Sequence, residues 1–566
     1  MKSLKQKSEV LDNYHSFLLV LQLYSSLIYF LDVLGVNVRV FLEGGYVYKV
    51  FSVEYDLTNL LLLLLLVWTI LVFRIKFGYI SLLPTAVVLA FPLTGIKIAT
   101  IIATLLSICI GFFKFKWNKS VLYWMLLLGI IWEISALSHW VISLIGLVSP
   151  TRLIAELETS LYYISTAIGP YLYLVIVFVS IFKASSLMNK RWTIDKTQIT
   201  AKLSRKRKTV FLLLSCLISV FLAIYLTLPA INSDAGLIGV DALHYMEEYL
   251  PVESNPINAF NVWESTRPMI FLLIYVFQNI FRLTTVQAVT YIPTILNPLL
   301  LISVYLLGTE VFEDNVVVES SVIFTLFGFQ IVIGLYSYFL ANMLGLILMN
   351  LSLSFLFRTI KNHNWNDLII SSLFGVLLVF THPWTFTQHI FTVLVFTILY
   401  FIKYNNIKNG INKQLLLYFI ILSVFEVMKI LYFSSGPSNP LPTYANNFTT
   451  IFTFWQDLVI GIRYLYAGAL SNIPILLLSI YGLLIFKHDK ISEKYILTLI
   501  AISSILFIPG NDAIKSRLFY NLPFNFLSAY GLNAFSKKVN HKNKNKLYIL
   551  TYAVIATNAL RILSNL

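Results

Sequence analysis

Charge is what this chain has least of. Of its 566 residues only 12% are Asp, Glu, Lys or Arg, whereas 58% are hydrophobic, a balance far outside that of a soluble globular domain. Acids are the scarcer sign, 26 against 41 basic residues. The two cysteines, Cys109 and Cys216, both fall in apolar runs, which leaves no disulfide framework and no thiolate metal site to build on. P-loop, H-E-x-x-H and G-x-S-x-G strings are missing, so ATP use, zinc proteolysis and serine hydrolysis have no support. The net charge of +15 is not the footprint of a nucleic-acid binder, because the basic residues sit in short loops between apolar runs and not in one patch.

What is abundant is long apolar sequence. "LTNLLLLLLLVWTILVF", Leu57 to Phe73, approaches the roughly 20 residues that cross about 30 Å of hydrocarbon, and such runs recur along the chain. The class is therefore an all-α, polytopic membrane protein. Its N-terminus carries Lys2, Lys5 and Lys7 ahead of an apolar run with no convincing cleavage site, which reads as a retained first span with a cytoplasmic start.

Basic loops set the orientation. Those at 114–119, 183–208, 358–361, 403–413, 487–494 and 537–546 should face the cytoplasm and anionic lipid. The loop at 183–208 has nine basic residues against one aspartate and reads as a linker between a six-span module, 1–182, and a membrane domain, 209–566. Between that linker and Arg358 lie five apolar candidates: 209–231, 267–282, 285–309, 320–336 and 338–357. Both ends are cytoplasmic, so an even number must cross. The one to set aside is "RPMIFLLIYVFQNIFR", the shortest, bounded by Arg267 and Arg282 and carrying Gln278 and Asn279. Such a helix suits the outer interface. "GTEVFEDNVVVES", 308–320, then becomes an acidic cytoplasmic loop, which is tolerable because acids contribute little to orientation. The count comes to about 17 spans of a multi-pass protein of the cell membrane.

This topology puts a carboxylate-rich loop, 232–266, outside. Six acids lie between Ile231 and Arg267 with no lysine or arginine between them. Within "GVDALHYMEEYLP", 239–251, a short helix would place Asp241, His244 and Glu248 at i, i+3 and i+7, on one face. Those side chains could ligate a divalent cation, Mg or Mn, or Asp241 could act as a general base toward a hydroxyl. The plainer alternative is that Asp241 is an N-cap and the other acids are solvated. Asp234, earlier in the loop, is a further accessory candidate. Also outside are "YSYFLAN" (336–342), "THPW" (381–384), the Pro-rich 434–457 loop with its Asn447-Phe448-Thr449 sequon, and "PGNDAIKSR" (509–517). His382 could touch a sugar or acceptor, or serve as an interfacial anchor beside Trp384. Lys515 and Arg517 lie outside against the positive-inside preference and could grip an anion or lipid headgroups. Inside the spans, Glu426 and Lys429 read as a mutually satisfied pair, and Glu133 as a buried group needing a partner.

A span leading into the outer acidic "GVDALHY", then a helix opened by Arg267-Pro268-Met269, then "FRLTTVQAVTYIPTILNPLLLISVYLLG", 281–308, resembles the GT-C superfamily of membrane glycosyltransferases, which includes the protein O-mannosyltransferases and the oligosaccharyltransferase catalytic subunits. "SRLFYNLPFNFLSAYGL", 516–532, is similar to a late R-x-x-x-x-x-P span of that group. The likeness covers about 209–360 best and leaves the first six spans without a counterpart. It implies a polyprenyl-phosphate sugar donor in the outer leaflet and a protein, glycan or lipid acceptor. In that setting Asp241 would act as base or metal ligand, and Lys515, Arg517 and Arg267 would hold the donor phosphate. A divalent cation is compatible with this reading and not required by it. "GLYSYFLANMLGL", 334–346, lacks the second acidic motif of many members, and no W-W-D string is present, which favours a monosaccharide transferase. The rival classes are a transporter or lipid flippase, which would favour matching halves and a midplane site, and a non-catalytic scaffold, in which the carboxylates are dispensable.

The topology has a direct test. In a background with Cys109 and Cys216 replaced by serine, Glu247→Cys should react with a membrane-impermeant maleimide on intact cells, and Lys361→Cys only after permeabilisation. The reverse pattern would invert the orientation.

Overall fold

The computed structural model describes scattered positions between 176 and 187, then residues 205–228, 232, 236–239, 241–262, 266–404, 410–433, 473–486, 490–538 and 541–564. The chain divides into two units, Met1–Ile168 and Gly169–Leu566, and every described residue belongs to the second. Residues 1–175 of the expected six-span module, with Glu133 and Cys109, lie outside the described residues, as do Asp234 and the 434–457 loop with its sequon.

The described residues are helical, with no strand element. In chain order they form α1 (Arg205–Tyr225), α2 (Ala242–Ser254), a 3-10 turn (Pro256–Phe260), α3 (Pro268–Phe281), α4 (Thr285–Tyr291) and α5 (Pro293–Val311). There follow α6 (Asn315–Phe327), α7 (Gln330–Tyr336), α8 (Leu340–Asn362), α9 (Trp365–Val379), α10 (Pro383–Tyr404) and α11 (Gly410–Phe433). The last five are α12 (Ile473–Ile485), α13 (Ile491–Phe507), α14 (Asp512–Tyr520), α15 (Phe524–Ser536) and α16 (His541–Ser564).

Six segments among the described residues are long and apolar enough to cross a membrane: Arg207–Tyr225, Thr285–Val311, Asn315–Tyr336, Leu340–Asn362, Pro383–Ile402 and Lys413–Tyr432. The protein is a helical, membrane-embedded chain. Of the five apolar stretches between the basic linker and Arg358, four form these long helices. The fifth is α3, whose 14 residues reach only about 21 Å at 1.5 Å per residue. Its polar residue Gln278 is buried, donates to Glu253 Oε1 at 2.6 Å and accepts from the Tyr249 hydroxyl. Glu253 also accepts from Thr285 Oγ1 at 2.7 Å, so one carboxylate of the acidic loop ties α2 to α3 and α4. At the other end of α3 the Met269 amide donates to Phe380 O at 3.1 Å, which sets Arg267 beside the turn that carries His382.

α8 gives the bundle its two ends. Near its start the Ala341 amide donates to the Tyr245 hydroxyl at 2.9 Å, and near its finish Arg358 and Lys361 meet Glu310 at 3.0 and 2.8 Å. Seventeen residues of helix separate Ala341 from Arg358, about 25 Å. At the second end the acids of "GTEVFEDNVVVES" all meet bases: Glu313 pairs with Lys490 at 2.6 Å, Asp314 with Lys537 at 3.2 Å and Glu319 with Arg207 at 4.0 Å. Asp314 also caps α6, accepting from the Val316 amide at 3.1 Å. Burial alone would raise its pKa, but hydrogen bonds from Asn533, Lys537 and that amide hold the carboxyl below the usual range. The acidic loop and the basic loop ends therefore share one face, and the pairing is the physical reason an acidic loop sits there.

α12 and α15 touch backbone to backbone. A Cβ on Gly482 would lie 2.0 Å from Leu527 O, and one on Gly531 would lie 2.3 Å from Leu478 O. This is close packing through small residues, the device that substitutes for hydrophobic association between helices in lipid. Gly482→Ala and Gly531→Ala should each lower the unfolding midpoint in detergent by the equivalent of about 1–3 kcal/mol. Gly236→Ala, whose Cβ would meet nothing within 4 Å, should leave it unchanged.

Candidate functional site

The approach to Asp241 is fixed by glycine. Gly239 has φ of +102°, and a Cβ there would sit 2.8 Å from Tyr338 Cβ, so no side chain fits. The chain thereby lies against "YSYFLAN", and the Asp241 amide donates to Ser337 O at 3.2 Å.

Asp241 occupies the N-cap position of α2, yet its side chain makes no cap hydrogen bond. The carboxylate instead accepts from Arg517 Nη2 at 2.7 Å, across 276 residues of sequence, with the two side chains 17% and 14% exposed. The capping alternative is thus not what the carboxylate does. Arg517 stands on α14, whose own N-cap, Asn511, accepts from the Ile514 amide at 3.0 Å. The guanidinium lies 4.0 Å from the Phe339 ring centroid, a cation–π contact, and Nη1 donates to Ser516 Oγ at 3.0 Å. Tyr245, one turn into α2, is buried with its ring against Tyr338 and Phe271, each at 6.2 Å between centroids. Burial pushes its hydroxyl up; Arg267 and Arg517 oppose that and Asp241 adds to it. Arg267, Asp241 and Arg517 therefore lie within electrostatic reach of one hydroxyl.

His382 is fully buried, in the turn between α9 and α10. Burial, then the charges of Arg267, Arg517 and Lys429, hold its pKa well below the ordinary histidine value, so the ring is neutral. Nδ1 accepts from the Thr385 amide at 3.2 Å and meets Thr385 Oγ1 at 2.9 Å. Asn521 Nδ2 donates to Thr385 Oγ1 at 2.9 Å, and Asn342 Nδ2 to Asn521 Oδ1 at 3.3 Å. The ring is thus set by a polar chain from α8 and the turn after α14.

The structure separates Lys515 from Arg517. Two residues along a helix are about 200° apart, and Lys515 turns inward, 1% exposed, donating to Gly510 O and lying 5.5 Å from the Phe507 ring centroid. His244 points outward beside Glu247 at 3.9 Å, its side chain 67% exposed, and Glu248 is half-buried. Asp241 precedes the helix with non-helical backbone, so the i, i+3, i+7 spacing does not bring these three side chains together. Among the described residues no group of three His, Cys, Asp or Glu side chains could hold a metal ion. The structure thus gathers Asp241, Arg517, Arg267 and His382, and leaves out Lys515, His244 and Glu248. Tyr245, Phe339, Thr385 and Asn521 were not singled out by sequence reasoning. Tyr245 is one turn beyond Asp241 and Asn521 one turn beyond Arg517, so helical spacing from the two charged residues was the available signal.

Within the spans, Glu426 and Lys429 pair at 3.2 Å, with Lys429 also donating to Val379 O at 2.9 Å. Other polar contacts lie deep in the bundle: His389 Nε2 with the Tyr418 hydroxyl at 2.7 Å, Ser352 with Ser371 O at 2.7 Å, and Gln388 with Ser503. Polar contacts among the described residues therefore also lie inside the bundle and not only around Asp241. No family model matches the chain, and no curated protein is similar to it.

The ion pair can be measured as a coupling. Arg517→Ala leaves a mostly buried carboxylate unpaired and should cost about 3–5 kcal/mol of stability. Adding Asp241→Asn should restore part of the loss, with a coupling energy of about 0.5–3 kcal/mol in denaturant unfolding. Strict additivity of the two losses would show that the pair contributes nothing.

Proposed function

We propose that the chain is a GT-C-type membrane glycosyltransferase of about 17 spans, moving a sugar from a polyprenyl-phosphate donor to an acceptor at the outer face of the cell membrane. The observation that carries the reading is the mostly buried Asp241–Arg517 pair, with Arg267 and Arg517 both in electrostatic reach of Tyr245 and His382. A base and an anion-binding group at one end of a membrane bundle are what sugar transfer from a lipid phosphate requires. The acceptor O–H attacks the anomeric carbon and its proton passes to the Asp241 carboxylate. The bond from that carbon to the phosphate oxygen breaks, and the polyprenyl phosphate leaves as an anion against Arg517 and Arg267. Inversion at the anomeric carbon follows from a single displacement. Arg517 engages Oδ2 of Asp241, and a carboxylate accepts at both of its oxygens, so the acceptor proton can pass to Oδ1. Lys515 has no part in this account, because its ammonium is turned into the protein. No step needs a metal. The short helix α3, joined to α2 through Glu253 and Gln278, lies along the outer leaflet beside the donor's phosphate.

A transporter or flippase is the second reading, and the contacts of His389, Tyr418, Gln388 and Ser503 deep in the bundle favour it. Membranes holding native protein or Asp241→Asn, supplied with labelled polyprenyl phosphate sugars, separate the two. Transfer should fall about 10²–10⁴-fold in the variant. Unchanged transfer would remove Asp241 from the mechanism. Transbilayer movement of a labelled lipid with no transfer from any donor would establish the flippase instead.

A further inference from the structure

His382 precedes Pro383 at the start of α10, and its Nδ1 accepts the Thr385 amide at 3.2 Å, the bond an N-cap side chain makes to the third helical residue. That explains one ring nitrogen and leaves the other. The donors run in one direction: Asn342 to Asn521, Asn521 to Thr385 Oγ1, and the Thr385 amide to Nδ1. With Nδ1 accepting, a neutral ring carries its proton on Nε2. Nε2 is buried and has no hydrogen-bond partner among the described residues, on a side chain that is 0% exposed. A buried donor without an acceptor carries an uncompensated desolvation penalty, so the arrangement calls for an acceptor from outside the described residues. A cap alone does not need imidazole, because asparagine caps as well or better.

We infer that His382 is a ligand-binding residue, its Nε2–H donating to an oxygen of the anionic headgroup that Arg267 and Arg517 attract. The inference rests on the polyprenyl-phosphate reading and adds to it a fixed tautomer. The ring gives one directional hydrogen bond without adding charge. Thr385 and Asn521 are positioning residues that hold the ring plane through Nδ1 and touch no ligand.

His382→Asn separates this role from capping, since it keeps an acceptor for the Thr385 amide and removes the Nε2 donor. The probe is undecaprenyl phosphate titrated into native protein and variants in nanodiscs, with undecaprenol as the uncharged control and thermal unfolding as the measure of fold. His382→Asn should keep the native unfolding midpoint and bind undecaprenyl phosphate about ten- to hundredfold more weakly, with His382→Gln recovering part of the loss. Native affinity in His382→Asn would reduce the histidine to a cap and overturn the inference. Loss of fold in His382→Asn would do the same, by assigning the ring a structural role that a better capping residue cannot fill. If Arg517→Ala weakens binding and His382→Asn does not, this inference alone fails. If native protein does not distinguish the phosphate from the alcohol, the donor reading fails with it.

Discussion

The contact between Asp241 and Arg517 joins the acidic loop to a short helix 276 residues later, and much of the local structure is arranged to make it. Gly239 turns the chain against Tyr338, Ser337 O receives the Asp241 amide, and Asn511 starts the helix that carries Arg517. At about 3 Å in surroundings of effective dielectric near 20, such a pair gains several kcal/mol of Coulomb energy, most of which is returned as desolvation. Two well-packed apolar residues would stabilise the fold as well. The choice of a carboxylate and a guanidinium at this depth is better explained by chemistry than by stability.

The opposite end of the bundle uses the same residue types for another purpose. There Glu310, Glu313, Asp314 and Glu319 each meet a base contributed by a loop end or helix end. These pairs are spread over α1, α5, α6, α8, α13 and the residues after α15, and several are half-exposed, so their individual contributions are small. Together they fasten helix ends that basic residues alone would push apart. A distributed network of that kind reads as mechanical. A single mostly buried pair with a neutral histidine nearby reads as a site, and the contrast within one chain is what distinguishes them.

Class and coarse helix positions were legible in the sequence because they follow from length and apolarity, which are local. The shortness of α3 was legible too, from its flanking arginines and from Gln278, whose partners Glu253 and Tyr249 lay in the acidic loop all along. The pairing of Asp241 with Arg517 was not, since it depends on which of two cations on one short helix faces inward. Lys515 and Arg517 look equivalent in "NDAIKSR", and only the helical rotation of about 200° between them assigns one to Phe339 and Asp241 and the other to Gly510 and Phe507. The supposed ligand face of α2 failed for a similar reason. Spacing arguments presume helical backbone from the first residue, and Asp241, at φ −91° and ψ 3°, stands just before it.

Arginine and not lysine is required at 517 for a geometric reason. One flat group must lie over the Phe339 ring, reach Ser516 Oγ and reach Asp241 Oδ2 at the same time, and a lysine ammonium, a point charge on a flexible stem, can satisfy only part of that set. The same geometry links donor binding to base activity on the transferase reading. A phosphate oxygen and the Asp241 carboxylate both accept guanidinium N–H groups, of which arginine has five, so a donor phosphate that draws Arg517 toward itself weakens its hold on the carboxylate. The proton on an acceptor hydroxyl is the partner the reaction needs. Without a donor, the pair keeps Asp241 bound. The contact that positions the base at rest is then the one that an arriving phosphate loosens, because both anions draw on the same guanidinium.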